Sequence, residues 1–465
     1  MRADLVLMGG NVLTMNSSQP YAEAIALKKD RIVKVGANEE IAQCVGKNTE
    51  VISLNGKTVV PGFIDTHIHV ADFGKFLTWV DLRAAKSIEE MQTSLKKRAQ
   101  KTPKEKWIIG HGWDQNCFSE KRLPTRHDLD VASPDKPAIL YHQFGQLCVV
   151  NSKALQLAGV TKQTSVTSGG TIDKSADTGE LTGILRDNAT NLVWKIVPAP
   201  SEEELVEAAV LACEKIVKAG VTSVHWMVLS AIEISIIQKL RAQNKLPLRV
   251  FLIVPANLLD SALSSGLCKD SSSDVVRIGG AIIFADGHLS AKTAALLQPY
   301  ADSSEVSGSL LFTQEEMNVW AIRIRKAGLQ LVVHAMGDKA LDAALTTIEE
   351  TSKEAPEIDH RSRIEQAGVL NGKLLQRMKK QKVIVSVQPC VIDSEFSVWS
   401  VIDHLGPKRA RWLYPLKTLI RKGVRVCSGS DCPMEPLSPL LGIQAAVTRE
   451  FFPEERINVD EALQT

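Results

Sequence analysis

Eight strand-like runs, most of them separated by helical stretches, constrain this chain more than any other feature. They are TVVPGFIDTHIH (58 to 69), VTSVHWM (221 to 227), LRVFLIVP (248 to 255), VVRIGGAIIFAD (275 to 286), LQLVVHAMGD (329 to 338), SRIEQAG (362 to 368), KVIVSVQP (382 to 389) and VRVCSGSD (424 to 431). The segment before the second run, SEEELVEAAVLACEKIVKAG, predicts a helix: Ser201 caps it, Glu204 completes a capping box, and Gly220 stops it. Thr313 to Ala327 and Asp338 to Ser352 predict two more. Strands alternating with helices eight times over predict an α/β fold, a closed (β/α)8 or TIM barrel. The rival, an open doubly wound sheet, lacks its signature, because no GxGxxG opens a first helix. A length of 465 residues suits one large barrel with accessory parts.

Two segments stand outside the alternation. Residues 1–58 predict a small β module of hairpins turning at Gly9-Gly10, Lys29-Asp30 and Asn55-Gly56, ahead of a barrel domain spanning 59–465. Residues of about 70–200 are too many for one strand-to-helix connection. Their loop-like text (PTRHDLDVASPDKPA, TSVTSGGTIDKSADTGELTG) mixes with short ordered runs. They predict an insertion after the first barrel strand, on the end of the barrel where loops cover a site.

Composition narrows the partners. A net charge of +2 gives no basic field for nucleic acid or an anionic membrane, and no run nears the roughly 18 apolar residues of a spanning helix. The N-terminal apolar run breaks at Gly9-Gly10 and contains no signal h-region. Eight cysteines without CxxC spacing predict free thiols in a reducing, cytoplasmic setting. The expected partner is a small-molecule substrate, with homodimerisation left open.

The first barrel run ends in His67 and His69, which face the same side of a strand and sit at its C-terminal end, where barrel enzymes hold their chemistry. Two imidazoles so placed can chelate a divalent metal; two satisfied strand-end histidines are the plainer alternative. His334 ends the fifth run and Asp431 the eighth. Singly, one reads as a core histidine and the other as a helix cap. Together the four predict a three-His, one-carboxylate metal site at one mouth. A metal there would activate water, and Asp431 would shuttle its proton; a ligand-only role for Asp431 is the alternative. Trp113 and Asp114 in HGWDQ read either as pocket lining or as packing, and His225 as a strand end or as core. Asp286 and His288 stand at the reactive rim after the fourth run, as candidates for substrate contact. Lys379-Lys380 reads as a solvated helix face.

The motifs PGFIDTHIH, HGWDQ, LPTRHDLD, VNSKAL, FADGHLSAKTAALLQPY, VHAMGDKA, RIEQAG and SGSDCPMEPLSPLLGIQAAVTRE, in this order and spacing, resemble the amidohydrolase superfamily in its amidohydrolase-3 (YtcJ-like) branch. The resemblance runs from about residue 4 to the last residue. It implies a metal-dependent barrel hydrolase with a β-sandwich built from both termini. Family chains continue past EALQT, so the C-terminal part of the sandwich is expected to be truncated here. The chain departs from the family at three places: Ile282 stands where a bridging lysine is common, Gln366 where RIEH has histidine, and Phe144-Gly145-Gln146 where DGH is common. The first two losses remove partners of a second metal, so the resemblance implies one ion, Zn2+ first and another divalent metal as the alternative. It sits on His67, His69, His334 and Asp431, with Gln366 free to hold substrate or water. The implied reaction is hydrolysis of a non-peptide C–N bond in an amide, an N-acyl or N-formyl amine, or a cyclic amide. The alternative is a catalytically impaired protein with a regulatory role, since the family includes a regulator of bacterial exoenzyme production.

Overall fold

The structure, a computed structural model, describes residues 2–143, 145, 147–165, 169–267, 275–354 and 361–465. The chain forms two compact units. One joins Met1–His69, Lys215–Ile234 and Leu246–Thr465; the other joins Val70–Glu214 and Ser235–Lys245. The N-terminal module therefore belongs to the same unit as the barrel strands.

The first unit carries the expected eight parallel strands: Phe63–Ile68, Val221–Met227, Arg249–Pro255, Val276–Phe284, Gln330–Ala335, Arg363–Gln366, Ile384–Val387 and Arg425–Ser428. Each pairs with the next in chain order. Gln330–Ala335 and Arg363–Gln366 are buried along almost their whole length, as parallel strands covered on both faces must be. The helices between them start on the caps the sequence offers. Thr313 forms a capping box with Glu316 ahead of Gln314–Lys326, and Asn371 accepts from the N–H groups of Lys373 and Leu374 ahead of Gly372–Gln381.

The first and eighth strands meet at a seam. The N–H of Asp431 donates to the carbonyl of His67 at 2.8 Å, and the N–H of His69 donates to the carbonyl of Cys432 at 2.9 Å. Asp65 ties the same seam from below: its Oδ1 accepts from the N–H of Ser430 at 2.9 Å and of His67 at 3.1 Å. Gly429 permits the approach, since a Cβ there would lie 2.4 Å from the His67 nitrogen.

The N-terminal module is one five-stranded sheet, and it departs from the expected chain of hairpins at two turns. The hairpin at Lys29-Asp30 is present, between Tyr21–Lys28 and Arg31–Gly36. Gly9-Gly10 is no turn; it lies inside a single strand, Leu5–Leu13, at a register shift between Met8 and Val12. Asn55 and Gly56 do take the left-handed conformation of a tight turn, at φ 50° and 77°. Yet Glu50–Ser53 and Thr58–Val59 both run parallel to Leu5–Leu13 instead of pairing with each other. The free edge of the first strand explains this. Its carbonyls at Met8 and Gly9 accept from Leu54 and Gly56, and the N–H of Asn11 donates to Lys57, so the turn steps the chain along one edge.

The second unit is more ordered than its loop-like sequence suggests. Six strands lie in the spatial order Gly170–Lys174, Leu181–Asp187, Leu147–Val150, Ala138–His142, Ile108–Trp113 and Val80–Asp81. Helices such as Ile88–Lys101 and Arg126–Ala132 pack with them into apolar clusters around Trp113, Phe118, Leu140 and Leu185. The LPTRHDLD motif is a helix start: Thr125 and Asp128 form its capping box, and Arg122 pairs with Asp128 at 2.8 Å. Asn151 of VNSKAL is fully buried and uses its whole amide. Its Oδ1 accepts from the N–H of Ala138 and of Ala154, both at 3.0 Å, and its Nδ2 donates to the carbonyls of Ser133 and Lys136 at 2.7 and 2.8 Å.

Asn151→Ala leaves four backbone groups without that partner and is expected to cost about 3 kcal/mol in urea denaturation; an unchanged midpoint would show that water replaces the amide. Gly429→Ala is expected to destabilise the protein by about 2 kcal/mol or more, because backbone rather than a flexible side chain blocks the added methyl.

Candidate metal centre

The seam that closes the barrel also assembles a cluster of donors. His67 and His69 alternate to one side of the first strand's end, and Asp431 arrives from the opposite side of the seam. One ligating atom from each lies within 4.8 Å of the others. Nε2 of His67 and Nε2 of His69 stand 3.4 and 3.3 Å from Asp431 Oδ1, and the two rings are 5.3 Å apart. Asp431 is held at φ 59°, a left-handed conformation that its backbone bond to His67 sustains.

Glu365 orients the first ligand. Its Oε2 lies 2.8 Å from His67 Nδ1, which donates to it and turns the ring's Nε2 toward Asp431. Glu365 is fully buried, ion-paired with Arg363 through Oε1, and within 3.3 Å of Gln388 Nε2. Burial opposes its charge, but Arg363 and His67 win and hold the carboxyl at about 2. The same balance acts on His67. Burial disfavours its cation, yet Glu365 and Asp431 raise it to about 10. Burial likewise opposes the charge of Asp431, which the two imidazoles keep well below the ordinary carboxylate range. The two carboxylates thus favour positive charge at His67, and a field that holds a proton on a buried imidazole also attracts a metal cation.

His334 stands beside this trio and not within it. It ends its strand buried, near enough for Asp431, Glu365 and His67 to affect its charge, with its ring 5.7 Å from that of His288. Burial first, then the His288 and His67 charges, lower it to about 4, so it is a neutral imidazole at pH 7. Its Nδ1, like that of His69, is buried without a hydrogen-bond partner among the described residues. Two converging imidazoles, an ionised carboxylate and a neutral, under-satisfied imidazole nearby suit a divalent metal.

The remaining candidates separate by environment. Trp113 is completely buried in the core of the second unit, its Nε1 donating to the Leu140 carbonyl at 2.8 Å, which is the packing alternative. Asp286 is 2% exposed, and its carboxylate accepts from the N–H groups of Met336, Gly337 and Ala295 at 2.8–2.9 Å. It fixes the turn that follows His334, with both carboxylate oxygens accepting from backbone and Oδ1 3.8 Å from His334 Nδ1. His288 is exposed at the end of the fourth strand beside His334. Asp114 lies in the second unit, accepting from Gln143 Nε2 at 2.6 Å. His225 sits mid-strand, not at a strand end, with its Nδ1 2.7 Å from Arg363 Nη1. Gln366 is buried, with its Oε1 accepting from the Tyr414 hydroxyl at 2.7 Å. Gln366 and Ala367 both have positive φ, 67° and 49°, a strained pair at a strand end of the kind functional sites retain. Ile282 is buried among Met227, Ile253 and Val332, so an apolar cluster occupies the place of the bridging lysine. Phe144 and Gln146 lie outside the described residues.

Sequence reasoning missed Glu365, Arg363 and Tyr414. A signal for the first two was present: RIE puts two opposite charges at i and i+2 of a buried strand, where neither is stable alone. Tyr414 had no signal, since it comes from a loop far along the chain.

Comparison with known proteins agrees with this geometry. Residues 50–465 match the Amidohydrolase family. The chain is 35% identical over 453 residues to YtcJ of Bacillus subtilis (strain 168), covering 96% of this chain and 84% of that protein. It is 26% identical to an N-substituted formamide deformylase of Arthrobacter pascens, covering 99% and 88%. Among solved structures, an uncharacterized metal-dependent hydrolase from Pyrococcus furiosus superposes with a TM-score of 0.78 at 32% identity, over 98% of this chain and 92% of that one. A barrel whose seam gathers histidines and a carboxylate, with this match over most of its length, makes the chain a member of the Amidohydrolase family of metal-dependent hydrolases.

Proposed function

We propose that this hydrolase cleaves a non-peptide C–N bond in a small molecule, an amide or an N-acyl or N-formyl amine, using one Zn2+ held by His67, His69, Asp431 and His334. The observation that carries the reading is the convergence of His67, His69 and Asp431 within 4.8 Å, with His67 oriented by Glu365. The apolar cluster around Ile282 and the amide of Gln366 favour one ion over two. When bound, the ion supplies Lewis acidity, making water nucleophilic near neutral pH and polarising the substrate carbonyl.

The chain's own residues do the rest. Asp431, whose carboxyl the two imidazoles hold below the ordinary range, would take the proton of the attacking water and return it to the leaving nitrogen. Glu365 keeps the His67 tautomer, and so its Nε2 lone pair, in place throughout. Gln366 has its carbonyl oxygen occupied by Tyr414, which leaves the amide NH2 as its donor toward a substrate oxygen. His288, exposed beside His334, is the second polar contact assigned to substrate. The deformylase relative makes N-formyl amines the first substrates to try.

The experiment is metal analysis of the purified protein, followed by a screen of N-formyl and N-acyl amines. About one zinc per chain is expected, with turnover that chelation abolishes and zinc restores. His67→Ala and His69→Ala are expected to remove both metal and turnover. Protein that binds no zinc and hydrolyses nothing would point instead to a regulatory or binding role on the same scaffold. Glu365→Gln is expected to weaken zinc binding by about 10–100-fold in a protein that still folds; unchanged affinity would mean that His67 needs no orienting carboxylate.

A further inference from the structure

The barrel has a second cavity at the ends of the strands opposite the metal centre. Its volume is about 930 Å3, within the range of small-molecule pockets. Gln330, Arg363 and Ile384, the first residues of three successive barrel strands, line it. Among its described lining residues, Arg277, Arg325 and Lys326 add cations beside the carboxylate of Glu354, while Arg363 is paired with Glu365.

Two of these guanidinium groups are held where a charge is costly. Arg363 is 1% exposed. It is committed to Glu365, Ser386 and the Thr66 carbonyl through Nη2 and to His225 through Nη1, which leaves a buried Nε with no partner among the described residues. Arg325 reaches only hydroxyls, Ser362 at 2.8 Å and Ser352 at 3.5 Å. Its Nη1 is buried without a hydrogen-bond partner, and no carboxylate among the described residues pairs with it. Burial lowers its pKa to about 10, a measure of the desolvation that a counter-ion would relieve. Arg277 lies over the Phe251 ring at 5.0 Å, a contact that leaves its N–H groups free for an anion. Arg325 is half-buried, so an anion entering the cavity would offset the desolvation of its guanidinium.

We propose that this cavity binds a phosphoryl dianion, as inorganic phosphate or as the phosphate of a small phosphomonoester, between Arg325, Lys326 and Arg277. Guanidinium forks match tetrahedral oxyanions bidentately, and a dianion offsets more than one of the clustered charges. The volume exceeds that of phosphate alone, so an organic substituent fits beside it. The site is separate from the metal centre and needs no metal.

The test is calorimetric titration of metal-stripped protein, in chelator, with inorganic phosphate and in parallel with ribose 5-phosphate. Saturable binding of one ligand per chain is expected, weakening with added salt. Arg325→Gln is expected to weaken it about tenfold or more and Lys326→Gln by a smaller factor, while Lys379→Gln, at a residue that does not line the cavity, leaves it unchanged. If Arg325→Gln does not fold, the Arg277→Gln/Lys326→Gln double variant carries the test, because both side chains are exposed. Tighter binding of ribose 5-phosphate assigns the cavity to phosphomonoesters, and equal binding to free phosphate. Absence of saturable binding, or binding that none of these lining variants weakens, overturns the proposal.

Discussion

The structure depends on how the barrel closes. A parallel sheet of eight strands leaves two edges unless its ends meet, and here they meet through two backbone hydrogen bonds between the end of the first strand and the segment after the eighth. That closure brings residues 67 and 431, remote in the chain, to within one side chain's reach. The histidines and the carboxylate therefore need no loop of their own to find each other. The fold makes the donor cluster as a by-product of satisfying its edge.

Around that seam, buried charge is managed in order. Glu365 could not be ionised in a barrel interior by itself; Arg363 on one side and His67 on the other make it so. Asp431 is ionised for the same reason, through two imidazoles. Each group is tolerable only because of its neighbour, so the polar column is specified as a whole, and removing one member leaves the others exposed to the desolvation they now share.

Much of this was legible in the sequence. Eight apolar runs with helical spacers gave the barrel strands to within a few residues, because buried parallel strands read as apolar runs and capped helices separate them. The HxH pair gave a shared face, since alternation in a strand is local geometry. What was not legible depended on partners far away. Asn55-Gly56 has hairpin chemistry and the matching left-handed conformations, yet the edge of Leu5–Leu13 captured both flanking strands. The inserted unit looked like loops because its strands are four to seven residues long where they are not shorter, too brief for alternation to register. Trp113 read equally as packing and as pocket lining, and Asp286 as a candidate at the rim; the coordinates place their polar atoms against backbone groups. Motif position marks where a residue stands, not which way its hydrogen bonds run.

Arg363 touches His225, Thr66 and Ser386 at the start of its strand and Glu365 two residues on, and Glu365 in turn holds the ring of His67. One run of contacts therefore links a guanidinium that lines the basal cavity to the ring of a candidate metal ligand. Glu365 sits between the Arg363 guanidinium and the His67 imidazole, and both lower its carboxyl. Replacing either partner therefore changes the charge balance that the other meets at Glu365.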